Sequence, residues 1–354
     1  MKVLLLSRYD KLGASSRVRY LQYLPEFVRR GWEVEVCPLF SDAYIHALYS
    51  GQSRIWETFN GYFNRLIVLR KARAFDVLII EKELFPYVPA WFEGTLRRMH
   101  IPYIVDYDDA QFHRYDMNPN ILVRGLLRHK IDAVMRDASL VVAGNAYLAD
   151  RARNAGANRV EIIPTVVDTD RYVPAATEFV NTLVVGWIGT PQTSRYLIPL
   201  LPVFEKIRLE GDVRFVAVGA HPEDFLGTPV EAWPWSESSE VSSIQQFDIG
   251  IMPLTDSPWE RGKCGYKLIQ CLACGKPIVA SPVGINVDII DSGVNGYLAE
   301  TIDNWARYLR LLLSDPVARV RMGAAGRDKV MKEFSLDAQA PRFIRAIERV
   351  IDFQ

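Results

Sequence analysis

The sequence predicts an α/β protein made of two doubly wound parallel-sheet halves in tandem. Three observations carry that expectation. The chain has 354 residues, too many for one ordinary core and suited to two domains of roughly 100–200 residues each. It opens on a strand, a glycine loop, a helix and a second strand. The same order begins again near residue 182.

The first strand is the short apolar run over residues 2–7, followed by the small-residue loop Gly13-Ala14-Ser15-Ser16. Val18, Leu21, Leu24, Phe27 and Val28 then recur at helical spacing up to Gly31, and Glu33–Val36 alternates as a strand does. The rhythm continues through Val77–Ile80, a helix over 88–99, Tyr103–Val105 and Leu140–Val142. Residues 163–181, with Pro164 and Pro174 and little apolar periodicity, read as a linker. The second half starts at Thr182–Gly189, with a helix over 194–209 and strands at Arg214–Val218, Asp248–Met252 and Pro277–Ala280. An amphipathic helix from Leu336 to Ile351 closes the chain. This gives an N-terminal Rossmann-like domain over 1–175 and a second over 176–337. The helix 338–354 is free to pack back on the first. A ligand crevice is expected between the halves.

Apolar residues make up 49% and charged residues 24%, the balance of a folded globular chain rather than a disordered one. Lys+Arg and Asp+Glu both total 42, which argues against a dedicated nucleic-acid binder. Residues 1–170 carry 23 basic and 20 acidic side chains, and 171–354 carry 19 and 22. The N-terminal apolar run is too short for a signal-peptide core, and no stretch reaches the length of a membrane span. The expectation is a cytoplasmic protein, free or peripheral on the inner face of a membrane. Cys271 and Cys274 are spaced C-x-x-C, but no second pair completes a zinc site, and their place before Gly275 suits packing.

The segment Lys263–Ser281 carries the most chemistry. It reads as a loop loosened by Gly265, a helix, a Gly275-Lys276-Pro277 stop and a buried strand. The helix N-terminus, with its free N–H groups, suits a phosphate, and Lys263 and Lys267 sit where cations do not help the helix itself. Two solvated lysines are the alternative. This segment resembles the donor-binding region of family 4 glycosyltransferases, whose pattern ends in E-A-M-A-C-G-K-P; Ala273-Cys274-Gly275-Lys276-Pro277 matches it. Gly284–Ile290, Ser292–Leu298 and Phe247–Leu254 resemble further stretches of that family. The resemblance implies the GT-B fold, two Rossmann-like domains facing a central cleft. It also implies sugar transfer with retention from a nucleotide-sugar substrate, with no cofactor or metal, in cell-envelope polysaccharide synthesis.

Carried over residue by residue, the resemblance puts donor binding on Gly189, Thr190, Arg195, Gly262, Lys263, Gly265, Tyr266, Lys267 and Gln270. Arg195 and Lys267 would neutralise the diphosphate leaving group, where the transition state places charge. Two departures stand out: the family's paired glutamates are Gly262 and Gln270 here, and its arginine after the first strand of the second domain is Thr190. Gln270 can still hydrogen-bond ribose hydroxyls, and Glu260 is the candidate to replace the missing sugar-binding acid. On the acceptor side, Asp106, Asp108 and Asp109 follow a strand, with His113 nearby. By register Asp108 takes the place beside the donor sugar, as a catalytic group. Either these carboxylates read acceptor hydroxyls, or they have compensating structural partners. Asp106-Tyr107-Asp108 is also a literal D-x-D, which the tandem halves argue against as a metal motif. Gly13, Ser15, Ser16 and Arg17 form either a ligand-lining loop or a plain tight turn.

Residues 54–73 hold Arg54, Arg65, Arg70, Lys71 and Arg73 against Glu57 alone. Trp56, Phe59, Phe63, Leu66 and Ile67 share one helical face, so the segment is either core or a peripheral contact with an anionic membrane. The expected partners are a nucleotide-sugar donor and a glycan or lipid-linked acceptor. The rival functions are a non-catalytic scaffold that binds nucleotide or glycan, and a GT-B enzyme of other chemistry such as an epimerase.

Overall fold

The computed structural model describes residues 1–175 and 182–352. The predicted start of the second domain at 176 and the chain end at 353–354 lie outside the described residues. Among the described residues two six-stranded sheets form, and every pairing in them is parallel. The chain divides into two compact units. The first is Met1–Thr165 with Arg261–Cys264 and the residues from Gln339 onward; the second is Val166–Glu260 with Gly265–Ala338.

The first sheet contains β1 (Lys2–Leu6), β2 (Glu33–Val36), β3 (Val77–Glu81), β4 (Tyr103–Tyr107), β5 (Leu140–Ala143) and β6 (Val160–Ile162). Their order is β2-β1-β3-β4-β5-β6. β3, β4 and β5 are buried along their whole length, as parallel strands covered by helices must be. The second sheet contains β7 (Leu183–Ile188), β8 (Val213–Val218), β9 (Val230–Trp233), β10 (Ile249–Met252), β11 (Ile278–Ala280) and β12 (Gly296–Leu298). Its order, β9-β8-β7-β10-β11-β12, is the dinucleotide-fold order. The strand order reverses between β1 and β3 in one sheet and between β7 and β10 in the other. Ligands of open α/β sheets collect at the carboxyl ends beside such reversals.

Three features differ from the sequence reading. The predicted linker is not loose beyond Thr165: Val167 and Tyr172 are buried in the second core, and Val167 pairs with Ser335. The helix expected over 194–209 is broken into Pro191–Ser194, a 3₁₀ turn Arg195–Leu200 and Leu201–Glu210. Pro199 and Pro202 lack the N–H that a continuous helix needs. The 54–73 segment forms the helix Ile55–Leu69, which buries Gly61 and Arg65 and not its apolar stripe. Phe343 of the last helix packs on Tyr23 and Phe27 at 5.2 and 5.9 Å between ring centres. Cys271 and Cys274 are buried among apolar neighbours. Among the described residues, no helix is long and apolar enough to cross a membrane.

Candidate functional site

In the second unit, the carboxyl end of β7 meets the start of the helix Tyr266–Ala273. Gly265 caps that helix with φ +65°, in the left-handed region that favours glycine. The first turn of the helix delivers Lys267, whose ammonium lies 4.2 Å from the centre of the Trp187 ring and donates to Thr193 Oγ1 at 3.2 Å. A Cβ at Gly189 would stand 2.5 Å from both Lys267 Nζ and a Trp187 ring carbon, so glycine is required there. The Thr190 N–H donates to the same Thr193 hydroxyl at 3.3 Å. A cation and a backbone N–H therefore converge on one hydroxyl beside the β7/β10 reversal, donors of the kind an anion can recruit.

Arg195 stands on the next turn. Its guanidinium lies 5.3 Å from the Tyr196 ring centre and 3.4 Å from the Tyr196 hydroxyl, which raises its pKa. Glu260, expected to take the place of the missing acid, is instead enclosed: Tyr196 donates to one carboxylate oxygen and Ser257 to the other. Gln270 is also buried, and its amide donates to the Tyr172 hydroxyl at 3.0 Å. Tyr172 in turn donates to Glu240, contacts the Tyr266 hydroxyl at 3.2 Å, and has its pKa raised first by burial and then by Tyr266 and Glu240. Trp235 donates to the other Glu240 oxygen at 2.9 Å. No spacing pattern reveals this Gln270–Tyr172–Glu240–Trp235 chain, because Tyr172 and Gln270 lie 98 residues apart.

In the first unit, the carboxyl ends of β1, β3 and β4 gather charge. Asp106, expected to face an acceptor, is buried and accepts from Arg19 through both oxygens, at 2.9 and 2.5 Å. Arg19 also donates to Ile163 O and Thr165 Oγ1. Ser15 and Ser16 donate to Glu81 at 2.7 and 2.6 Å, and the Arg8 N–H joins them at 2.7 Å. Those hydroxyls hold the Gly13 loop to the end of β3. Arg17 donates to Lys11 O at 3.2 Å. His113 has Asp116 and the Tyr147 hydroxyl at 2.8 Å on its two ring nitrogens.

Asp108 and Asp109 share the Lys82 ammonium, at 2.8 and 3.6 Å. Lys82 sits at φ +67°, a strained conformation for a side-chain-bearing residue, and its N–H is tied to Asp106 O at 3.0 Å. Burial raises the Asp108 pKa most, but the Lys82 charge, its hydrogen bond and the Arg19 charge together outweigh it and the net shift is down. Burial, and then the Asp108 charge, push Asp109 up. Two neighbouring carboxyls pushed in opposite directions give this strand end two acids of unequal strength. The compensating partners that three adjacent carboxylates demand are thus Arg19 and Lys82. Sequence reasoning missed both, although Glu81-Lys82-Glu83 gathers charge at the end of a buried strand.

The segment Arg261–Cys264 belongs to the first unit. A Cβ at Gly262 would lie 2.5 Å from Ala110 Cβ and 2.6 Å from Ala110 N, so the family's glutamate has no room there. Asn145 donates to Lys263 O at 3.0 Å, and Cys264 is buried in the first core. The Lys263 charge bears on Asp109. Among the described residues, no group of three or more His, Cys, Asp or Glu is gathered as a metal would require.

Residues 182–315 match the protein family of glycosyl transferases group 1. The search of curated proteins found no match. Among solved structures, the chain is similar to sucrose-phosphate synthase from Thermosynechococcus elongatus, with TM-score 0.76 and 14% identity over 100% of both chains. It is also similar to Anabaena HepE in complex with UDP, with TM-score 0.69 and 15% identity over 99% of this chain and 100% of that one. A UDP-forming α,α-trehalose-phosphate synthase from Burkholderia xenovorans gives TM-score 0.67 and 13% identity over 99% of each.

Proposed function

We propose that this chain, a GT-B protein whose residues 182–315 belong to the group 1 glycosyltransferases, moves a hexose from a UDP-sugar to an acceptor hydroxyl, with retention and without a metal. The observation that carries the reading is the convergence of Lys267, Thr193 and the Thr190 N–H over Trp187 and Gly189. As the glycosidic bond to the diphosphate stretches, negative charge grows on the departing phosphate oxygens. A fixed ammonium stabilises that charge more in the transition state than in the ground state. Arg195, exposed one turn on, supplies a second cation. UDP as the leaving group is supported by the UDP and UDP-glucose complexes of the Anabaena neighbour.

On the acceptor side, Asp108 and Asp109 are the hydroxyl-binding groups, positioned by Lys82. The acceptor is a glycan or a lipid-linked saccharide at the inner face of a membrane, with residues 54–73 as the contact. The test is UDP release from a panel of UDP-sugars, comparing the wild-type chain with Lys267→Ala and Arg195→Ala. Loss of one oxyanion-type donor lowers kcat about 10²–10³-fold, and Lys267→Ala is expected in that range with the thermal midpoint unchanged. Full turnover in both variants removes the site assignment. The enclosure of Glu260 and Gln270 favours one second reading, a scaffold that binds nucleotide without turnover. Binding of UDP with no transfer from any donor identifies that case.

A further inference from the structure

A helix lying on a protein core normally buries its apolar stripe. The helix Ile55–Leu69 does the reverse. Its buried residues are Gly61 and Arg65: Gly61 packs against the Leu39 carbonyl, and Arg65 donates to Ser7 O at 2.7 Å and Cys37 O at 3.1 Å. Ile55, Trp56, Phe59 and Phe63 each leave more than half of their surface exposed. The Trp56 and Phe59 rings stack on one another, 5.9 Å between centres and 19° between planes.

The exposed face continues beyond this helix. Tyr62 donates to Pro86 O at 2.6 Å, which seats the helix on the loop carrying Tyr87 and Trp91, both more than half exposed. The Tyr87 N–H donates to the Tyr115 hydroxyl at 3.0 Å, and their rings meet at 5.6 Å. Tyr115 lies in the short helix His113–Asp116, which precedes the helix Ile121–Leu127, where Ile121, Leu122 and Leu126 are about three-quarters exposed. All of these elements belong to the first unit.

Charge says what covers this face. Arg54 stands at one end of the first helix and Arg70, Lys71 and Arg73 at the other, all exposed; only Arg65 of the segment's cations turns inward. The second helix region adds Arg114, Arg124 and Arg128. The acids of the two segments are Glu57 and Asp116, and Asp116 is already paired with Arg151. A second copy of the chain would set these cations against their own kind. A layer of acyl chains under anionic headgroups matches both the apolar stripe and its cationic ends.

We infer that this face rests on an anionic lipid bilayer, with the helix Ile55–Leu69, about 22 Å long, parallel to the surface and Trp56, Phe59 and Phe63 at the acyl boundary. The helix Ile121–Leu127 forms the second point of contact. The inference extends the membrane-face reading of residues 54–73 to a second helix and to a lipid charge. Its readout needs no donor or acceptor, so it stands or falls apart from sugar transfer.

Flotation of the full chain with vesicles of phosphatidylcholine alone, or with about 30% phosphatidylglycerol, tests it. Binding at least tenfold stronger to the anionic vesicles, weakening as salt rises, is expected on the order of the steps known for such surfaces. Trp56→Ser with Phe59→Ser should lower binding about tenfold or more. Arg70→Gln and Lys71→Gln should each lower it about fivefold, and Leu126→Ser should weaken it with unchanged circular dichroism. Equal affinity for neutral and anionic vesicles, or no binding to either, overturns the inference. So does self-association by light scattering that Trp56→Ser with Phe59→Ser abolishes while vesicles remain unbound, since the occupant is then a second copy.

Discussion

Asp106→Asn removes one charge from a pair closed to water on both sides. The Arg19 and Asp106 side chains are 5% and 2% exposed, and two hydrogen bonds join them. After the substitution, Arg19 keeps Ile163 O and Thr165 Oγ1, neutral acceptors at 3.1 and 3.2 Å. One amide oxygen remains to accept, while the new amide N–H₂ meets a guanidinium that can only donate. Removing one partner of a buried pair costs about 3–5 kcal/mol, because the other charge is left uncompensated. With a urea slope of about 2–3 kcal/mol per M for a unit of this size, the midpoint should fall by about 1–2 M. Trp32, stacked on Phe27 at 5.0 Å in the same unit, serves as the fluorescence reporter. The double change Arg19→Met with Asp106→Leu should recover most of the loss, since apolar replacement of a buried pair is near neutral. Below the transition, UDP release by Asp106→Asn should match the wild type. An unmoved midpoint with lost activity would refute the reasoning and return Asp106 to the acceptor.

Two further outcomes follow from the same physics. Gly262→Ala places a methyl 2.5 Å from Ala110 Cβ and should destabilise the first unit by about 1–3 kcal/mol, read as a lowered urea midpoint. Glu83 is pushed up by burial but held net below the usual carboxylate range by Lys130 and Arg8. Its depressed folded pKa gives stability that is complete above the ordinary carboxylate range and lost as pH falls through the folded value. Urea midpoints taken from about pH 7 to 3 should therefore show the gap between wild type and Glu83→Gln closing as the pH drops.

Much of the architecture was legible because buried parallel strands announce themselves as short apolar runs. Val3–Leu6 and Val77–Ile80 are wholly buried, as such runs require. β9 escaped notice because Val230–Trp233 mixes Glu231 into a stretch between proline and serine turns. The loop before the helix Tyr266–Ala273 was legible in part. Gly265 and Lys267 stand where a phosphate-binding helix start would place them, while Trp187 under the ammonium could not be read from periodicity. Charged pairs were the least legible. Arg19 and Asp106 are 87 residues apart, and no spacing rule links a helix arginine to an aspartate two strands away. The aromatic stripe of 54–73 reads equally well as core or surface. Only the inward turn of Gly61 and Arg65 decides between them.

The grip of Glu81 on the Gly13 loop bears on the thermodynamics of whatever that loop meets. Two serine hydroxyls and one backbone N–H converge on a single carboxylate at the end of a buried strand. The loop is therefore already ordered before a ligand arrives, and little chain entropy is left to lose on binding. A contact made there should show a small entropic penalty in calorimetry. Loosening the loop with Glu81→Ala should raise that penalty and leave the binding enthalpy largely in place.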